Sequence, residues 1–156
     1  MLDKVNKLQQ LRRFLFAQIS TLTPAQLNQI PVGYSNNIIW NVAHLGAAVQ
    51  SLCYGRAGLP IAVADKFYTP YLSGTKPTDF LDEVLIEDIK ATSLSALNQL
   101  VVDIVAERFT TYTSSSFIQQ RYGIAVDDLH DALDFLLYHE GFHAGYVLAM
   151  KRLVHV

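Results

Sequence analysis

The sequence predicts an all-α protein, a four-helix bundle with a long crossover between its second and third helices. Four segments carry apolar residues three and four positions apart, which is the period of an amphipathic helix. No segment alternates apolar and polar residues with the composition of a strand. No repeat, low-complexity tract or linker divides the 156 residues, so we expect a single domain over residues 1–156.

The first two long helices are predicted within the first 55 residues. The first covers residues 2–19. Thr23-Pro24 is typical of an N-cap followed by proline at the first helical position, and it predicts a short helical turn. The second long helix begins near residue 36 or 37 and ends near Gly55, where the following Gly58-Leu59-Pro60 run stops it.

A crossover and two further helices account for the remainder of the chain. Residues 60–77 contain many turn residues, and such a long irregular segment is more often functional than accidental. The third helix starts at residue 78 or 79 and runs to about residue 107. A polar connection over residues 110–116 and a break at Gly123 follow. The fourth helix starts at residue 127 or 128 and runs to about residue 153.

The composition indicates extensive burial and excludes two classes of partner. Apolar residues make up 51% of the chain and charged residues only 17%, against a typical ~25%. This balance leaves room for a subunit interface as well as a core. The net charge of −2 and the pI of about 6.2 provide no basic surface, so we expect neither nucleic acid nor a membrane as partner.

The single cysteine predicts a reducing compartment. Cys53 has no second cysteine with which to form a disulfide within the chain. The N-terminal residues show no secretory pattern, and no apolar run approaches the ~18 residues of a membrane span. We therefore expect a cytoplasmic protein in which Cys53 is a small buried apolar side chain.

Two histidines lie on the predicted core-facing seam of the fourth helix. The seam consists of Leu129, Ala132, Leu136, His139, His143, Tyr146, Met150 and Leu153. Because His139 and His143 are four residues apart, their Cβ atoms are roughly 5–6 Å apart on one helix face. A buried imidazole needs hydrogen-bond partners or a metal ion. The pair predicts either a metal site, which we favour, or two core histidines with local partners.

A metal site normally needs a third ligand, and three further histidines are available. His130 and His155 lie near the ends of the fourth helix, roughly 13–18 Å along its axis from the pair. His44 lies midway along the second helix, beside small residues that leave room for a cavity. If these two helices are neighbours, three imidazoles can hold one metal ion and leave a coordination position open. That arrangement is typical of catalytic sites.

Residues 139–143 also match the H-E-x-x-H pattern of zinc proteases, in which Glu140 would be the general base. The extended pattern requires glycine and histidine where this chain has Tyr146 and Ala149. Such proteases also commonly hold the substrate along an edge strand, and none is predicted. A protease is therefore disfavoured. Glu140 remains a candidate catalytic residue, with a supporting or interhelical hydrogen bond as the alternative.

These residues resemble the DinB-like superfamily of bacterial four-helix proteins. That family carries a W-x-x-x-H-L pattern on helix two, matched here by Trp40, His44 and Leu45, and H-x-x-x-H on helix four, matched by His139 and His143. The helix order and the long crossover also agree, so the resemblance covers nearly the whole chain. It implies a metal site formed by His44, His139 and His143, usually with zinc or nickel, and often a homodimer.

The resemblance implies less about activity. Similar proteins include S-transferases and isomerases that use low-molecular-weight thiols such as bacillithiol or mycothiol. A metal could stabilise the thiolate of such a thiol, or it could lower the pKa of bound water toward ~7 for hydrolysis. We therefore expect a metal-dependent enzyme, a thiol S-transferase or a hydrolase, that acts on a small molecule. The alternative is a non-enzymatic metal-binding or protein-interaction bundle.

Other polar residues have two interpretations each. Asp131 and Asp134 on the fourth helix either accept hydrogen bonds from imidazole N–H groups or are solvated. Tyrosines of the connections either line a pocket mouth or cap the bundle. They are Tyr34, Tyr68, Tyr71 and Tyr112.

Overall fold

A computed structural model describes residues 1–154, and this part of the chain is helical without any strand. Its α-helices are α1 (Leu2–Ile19), α2 (Pro24–Asn28), α3 (Ile38–Val49), α4 (Glu83–Val105), α5 (Ser116–Tyr122) and α6 (Leu129–Lys151). The four long helices α1, α3, α4 and α6 form the bundle, which confirms the all-α prediction. Among residues 1–154, no helix combines the length and the apolar character that crossing a bilayer requires.

Each bundle helix packs against two others. α1 contacts α6 and α4, and α3 contacts the same two helices. α3 and α6, which carry the candidate metal ligands, are therefore direct neighbours in the bundle.

The N-terminal helices follow the sequence signals closely. α1 begins and ends at the predicted residues, and most of its apolar stripe, including Leu8 and Leu15, is fully buried. α2 starts with a capping box, in which the Thr23 side chain accepts a hydrogen bond from the Gln26 backbone N–H. The Gln26 side chain in turn accepts from the Thr23 backbone N–H at 2.9 Å. Both caps satisfy N–H groups that the short helix would otherwise leave free.

α3 lies deeper in the bundle than an ordinary amphipathic helix. Its N-cap Asn37 accepts a hydrogen bond from the Trp40 N–H at 2.8 Å. Ten of its twelve residues are buried, so α3 is covered on nearly every side. A π-helical turn over Gln50–Gly55 continues it to the residue where the sequence predicts its end. Buried polar side chains on α3 therefore need partners inside the protein.

The crossover contains two short 3₁₀ turns, Asp65–Phe67 and Thr69–Tyr71, and both pack against α3. The next helix, α4, starts at Glu83, later than predicted. The Asp82 side chain is its cap and accepts from the Leu85 N–H at 2.8 Å. The polar residues around position 78 cap no helix, because the Thr78 hydroxyl donates to the neighbouring Asp79 carboxylate instead.

α5 is a helix that the sequence pattern does not predict. It covers only Ser116–Tyr122, and its N-cap Ser115 lies inside the segment expected to be a polar connection. Gly123 ends α5 in the left-handed region, with φ of 69°, where glycine is free of the strain that a side chain would bring. α6 then starts at Leu129 behind the N-cap Asp128, within two residues of the predicted start.

Candidate metal centre

Three histidine side chains meet between α3 and α6. His44, His139 and His143 each offer one ring nitrogen, and these nitrogens lie within 4.8 Å of one another. The ring centroids of His139 and His143 are 4.4 Å apart, and that of His44 is 5.1 and 4.9 Å from them. Three nitrogens bound to one tetrahedral zinc would be about 3.3 Å apart, so small side-chain movements suffice to bind an ion. The three histidines are called the histidine cluster below.

The hydrogen bonds of His44 and His143 orient two of the three rings. His44 Nδ1 lies 2.7 Å from the Tyr71 carbonyl oxygen, and His143 Nδ1 lies 2.8 Å from Asn41 Oδ1. Both oxygens only accept hydrogen bonds, so each Nδ1 carries the proton and each Nε2 keeps its lone pair. This is the outer-shell arrangement of metal-binding histidines, in which one nitrogen donates to an oxygen and the other binds the metal.

Asn41 is itself held in place. Its side chain is fully buried and its Nδ2 donates to the Asn37 carbonyl oxygen at 2.7 Å. The same Nδ2 lies 3.2 Å from Asn36 Oδ1. These bonds orient the Oδ1 of Asn41 toward His143. Asn41 therefore links the N-terminus of α3 to His143 on α6 and helps to position that ring.

His139 provides the observation that fits a metal most directly. Its Nδ1 is buried and has no hydrogen-bond partner among residues 1–154. Its ring stacks on Phe135, with centroids 5.9 Å apart and an interplanar angle of 27°. A buried nitrogen without a partner costs free energy that a bound cation would offset. The donor set, three imidazoles, suits a divalent transition metal such as zinc, nickel, copper or iron.

The electrostatic environment keeps the cluster neutral. Burial, the two neighbouring imidazoles and the Arg12 guanidinium lower the pKa of His139 to about 2. Burial, His44 and Arg12 lower the pKa of His143 to about 3. Burial also lowers the pKa of His44, although the bond to Tyr71 opposes this effect. Neutral imidazoles are the form that binds metal ions, so the lone pairs are available at physiological pH.

The crossover covers one side of the cluster. The Trp40 ring stacks on His44 with centroids 4.9 Å apart and planes 8° from parallel. Trp40 Nε1 donates to the Thr75 hydroxyl of the crossover at 3.3 Å. Tyr71 also belongs to the crossover. This segment therefore supplies the hydrogen-bond acceptor of His44 and, through Thr75, holds the Trp40 ring that stacks on His44.

Glu140 lies beside the ligands in sequence but outside the cluster. Its two carboxylate oxygens accept from Arg12 Nε at 2.6 Å and from Arg12 Nη2 at 2.7 Å. Arg12 Nη1 also donates to the Ser93 hydroxyl of α4. Both oxygens thus point toward α1, because residue 140 is rotated ~100° from residue 139 around the helix. Its expected role as a catalytic residue stays a prediction.

The other candidate residues lie elsewhere. Lys4 binds Asp134 at 2.7 Å, and His130 is exposed beside the same lysine. Asp131 accepts from the Asp127 backbone N–H near the start of α6. His155 lies outside the described residues. None of the aspartates on α6 that were candidates for orienting the imidazoles contacts the histidine cluster in the described part of the chain.

Two cavities lie near the described helices but outside the cluster. One, of about 240 Å³, lies under the crossover and is lined by Trp40 and Tyr71 among others. The other, of about 570 Å³, lies near the start of α6, where Tyr112 and His130 line it. Of the tyrosines expected to line a pocket or cap the bundle, Tyr71 and Tyr112 line these cavities. Tyr34 packs on Tyr146, and the Tyr68 hydroxyl lies 3.1 Å from Ser51 Oγ.

Three functional contacts are absent from the sequence-based predictions. Arg12 could have been noticed, since it lies four residues after Leu8 and three before Leu15 on an otherwise apolar stripe. Asn41 carries a similar signal, a polar residue one turn before His44 in a buried helix. The Tyr71 carbonyl carries none, because any residue type can supply a backbone oxygen.

The comparison with known families gives one match. The family model described as the DinB superfamily matches residues 7–147, which include the histidine cluster and nearly the whole bundle. The comparison with curated proteins gives no match.

Proposed function

The chain belongs to the DinB superfamily, and we propose that it is a metal-dependent enzyme that transfers a low-molecular-weight thiol to a small electrophilic substrate. His44, His139 and His143 would hold the metal ion, with zinc or nickel as the best fit. The histidine cluster, neutral and partly buried, is the observation that carries this proposal. A divalent cation bound there would supply a Lewis acid that stabilises a thiolate.

The ligand set supports a catalytic rather than a structural ion. Within the described residues, no cysteine or carboxylate joins the three imidazoles. Structural zinc sites use four protein ligands, whereas catalytic sites use three and leave a position for substrate. His139 and His143 are less deeply buried than His44, and in this proposal the open position of the ion lies on their side of the cluster.

The surroundings of the cluster favour a thiol over water as the nucleophile. Both oxygens of Glu140 are bound by Arg12, so the carboxylate nearest in sequence is not free to accept a proton. A low-molecular-weight thiol with a free pKa of ≈ 8.5 would ionise on the cation without a protein base. Water on the same cation, with its pKa lowered toward ~7, would act with no free carboxylate beside it. In the transfer a carbon–sulfur bond forms, the leaving group departs with its electron pair, and the thiol proton passes to solvent. Hydrolysis is the second candidate.

The chain's own residues have separable roles in this proposal. Tyr71 and Asn41 accept the Nδ1 protons and direct two Nε2 lone pairs toward the ion. Trp40 restricts the His44 ring by stacking on it. Glu140 and Arg12 fix the face of α6 that carries His139 and His143. We infer that Glu140 is a positioning residue and not a base.

Two further expectations belong to the proposal. The family resemblance supports a homodimer, and the single cysteine supports a reducing, cytoplasmic location. Both stay predictions. The rival function is a non-enzymatic metal-binding or protein-interaction bundle, in which the same histidines bind an ion without turnover.

A thiol panel tests the proposed function. Zinc- or nickel-loaded protein is incubated with an electrophile and each of several low-molecular-weight thiols, and the S-conjugate is quantified. We expect turnover with at least one thiol, and loss of turnover in His143→Ala and His44→Ala. His130→Ala is the matched control, since this histidine is exposed and lies outside the cluster. Absence of turnover with every thiol would contradict the transferase proposal.

Measuring the metal content tests whether the histidine cluster binds an ion at all, independently of any enzymatic activity. Protein purified without a polyhistidine tag should contain or take up about one equivalent of zinc or nickel. His44→Ala should retain about a tenth of that or less, because two imidazoles bind a divalent ion weakly. A wild-type protein that takes up less than about a tenth of an equivalent after reconstitution would overturn the metal site itself.

A further inference from the structure

Aromatic rings continue outward from the histidine cluster along α6 and onto α5. Tyr122, Phe135, Tyr138 and Phe142 form what we call the aromatic strip. Phe135 is buried, whereas Tyr122, Tyr138 and Phe142 are 40%, 50% and 55% exposed. Single exposed apolar side chains are normal, whereas a large contiguous patch of them is typical of a binding surface.

Ring contacts join the strip directly to the candidate ligands. Phe142 meets the His143 ring edge to face at 5.4 Å, and Phe135 stacks on His139 at 5.9 Å. Tyr138 contacts both Phe135, at 5.9 Å, and Phe142, at 6.3 Å. Positions 135, 138 and 142 follow helical spacing, so they lie along one edge of α6 next to the ligands. A flat molecule on the strip would therefore lie beside the cluster.

A cation stands at the far end of the strip. The Arg121 guanidinium lies 5.7 Å from the Tyr122 ring centroid, and no carboxylate of the described residues forms an ion pair with it. Two ring contacts, Tyr122–Phe135 at 5.5 Å and Phe135–His139 at 5.9 Å, separate this end from the cluster. The surface thus combines apolar faces with one unpaired positive charge.

We propose that the aromatic strip binds the electrophilic substrate, a planar aromatic or unsaturated compound that carries an anionic group. This assignment rests on the proposed function and adds a substrate class to it. The exposed rings of Tyr138 and Phe142, whose planes differ by 33°, contact the planar part, and Arg121 attracts the anion. The opposite end of the compound, which carries the electrophilic carbon, then lies against His139 and His143. A neutral aliphatic electrophile would make neither contact.

Probe binding tests the strip without any turnover. The probes are 2-naphthoate and its uncharged counterpart 2-naphthamide, and their naphthalene fluorescence reports the dissociation constants. Tyr138→Ala and Phe142→Ala should weaken both probes about tenfold each. Arg121→Gln should weaken only 2-naphthoate, about threefold, and high salt should remove this difference. Val102→Ala and Val105→Ala, at exposed apolar positions on α4, are the matched controls and should leave both constants unchanged.

The test is kept separate from the metal chemistry. Both probes are measured with zinc-loaded protein, with metal-free protein and with His44→Ala, and we expect binding in all three. If the protein binds no metal or shows no turnover, the proposed function is overturned, whereas binding of the probes to the aromatic strip would still be supported. No measurable binding to the wild type, or equal binding by the strip variants, would overturn the strip. So would sedimentation data in which Tyr138→Ala and Phe142→Ala turn a dimer into monomers without changing probe affinity, since a second copy would then cover the rings.

Discussion

Arg12 on α1 and Glu140 on α6 form a bidentate ion pair in the interior of the bundle, with contacts of 2.6 and 2.7 Å. Their side chains are 0% and 2% exposed. Glu140 lies between His139 and His143 in the sequence, within the same turn of α6. The pair therefore fixes how α6 is rotated against α1, and with it the face that α6 presents to His44 on α3.

Removing one partner of this ion pair should destabilise the fold strongly, whereas replacing both partners by apolar residues should destabilise it little. Arg12→Met or Glu140→Leu alone leaves a buried charge without its partner, so each should lower the free energy of unfolding by about 3–5 kcal/mol. The double variant removes both charges and should recover most of that loss. Urea denaturation of the four proteins measures these differences. Lys7→Met is the control, because its ion pair with Asp3 is exposed and should contribute at most ~0.5 kcal/mol. Single variants as stable as this control would contradict the prediction.

Asn41 should affect metal affinity although it is not a ligand. Asn41→Ala removes the acceptor of the His143 Nδ1 proton, and the loss of such a partner typically weakens metal binding 10–100-fold. Asn41→Asp keeps an acceptor oxygen but loses the amide donor to the Asn37 carbonyl, so it should restore the affinity only in part. Competition with a chromogenic chelator gives the dissociation constants. Asn98→Ala, at an exposed amide bonded to Gln9, is the control and should bind the metal like the wild type. Unchanged affinity in Asn41→Ala would show that the bond does not orient His143.

The metal-free protein should lose stability as the pH falls below 6.5. The pKa values of His139 and His143 are lowered from 6.5 to about 2 and 3 in the folded protein. Below pH 6.5 these two histidines therefore bind protons in the unfolded chain but stay neutral in the folded protein. The free energy of unfolding decreases with falling pH as a result. From pH 7.5 to 5.5 the loss should be about 2–3 kcal/mol for the two residues together.

Urea midpoints measured in chelator at pH 7.5, 6.5 and 5.5 test this dependence. A variant with His139→Gln and His143→Gln should show a flatter profile over the same range, above the region where most carboxylates titrate. An equal slope in the wild type and in this variant would assign the dependence to other groups.

Cys53 should be inert in the folded protein. It is fully buried, and burial raises the pKa of its thiol to about 12, so almost no thiolate exists at neutral pH. An alkylating reagent should leave native protein unlabelled and modify one site after denaturation in urea, as counted by intact mass. Thiol transfer should likewise persist in Cys53→Ala, because the proposed reaction uses a free thiol. Rapid labelling of the native protein would contradict the burial of Cys53.

Local signals were sufficient for most of the helices. α1 and α6 start within two residues of the predicted positions, because the apolar spacing of both helices and the Asp128 cap of α6 depend only on near neighbours. α5 could not be predicted in the same way, since seven residues are too few for a clear period. The later start of α4 depends on which of several polar residues becomes the cap, and Asp82 takes this position.

The sequence by itself determined that His139 and His143 share a helix face, since four residues and one helical turn impose it. The match over residues 7–147 agrees with the family that these patterns indicated. Only the tertiary structure decided that α3 packs against α6 and brings His44 to the pair. The tertiary structure also decided that Glu140 pairs with Arg12 and that the Tyr71 carbonyl accepts the hydrogen bond of His44. Contacts between residues far apart in sequence depend on how helices pack, and helical periodicity carries no information about which helices become neighbours.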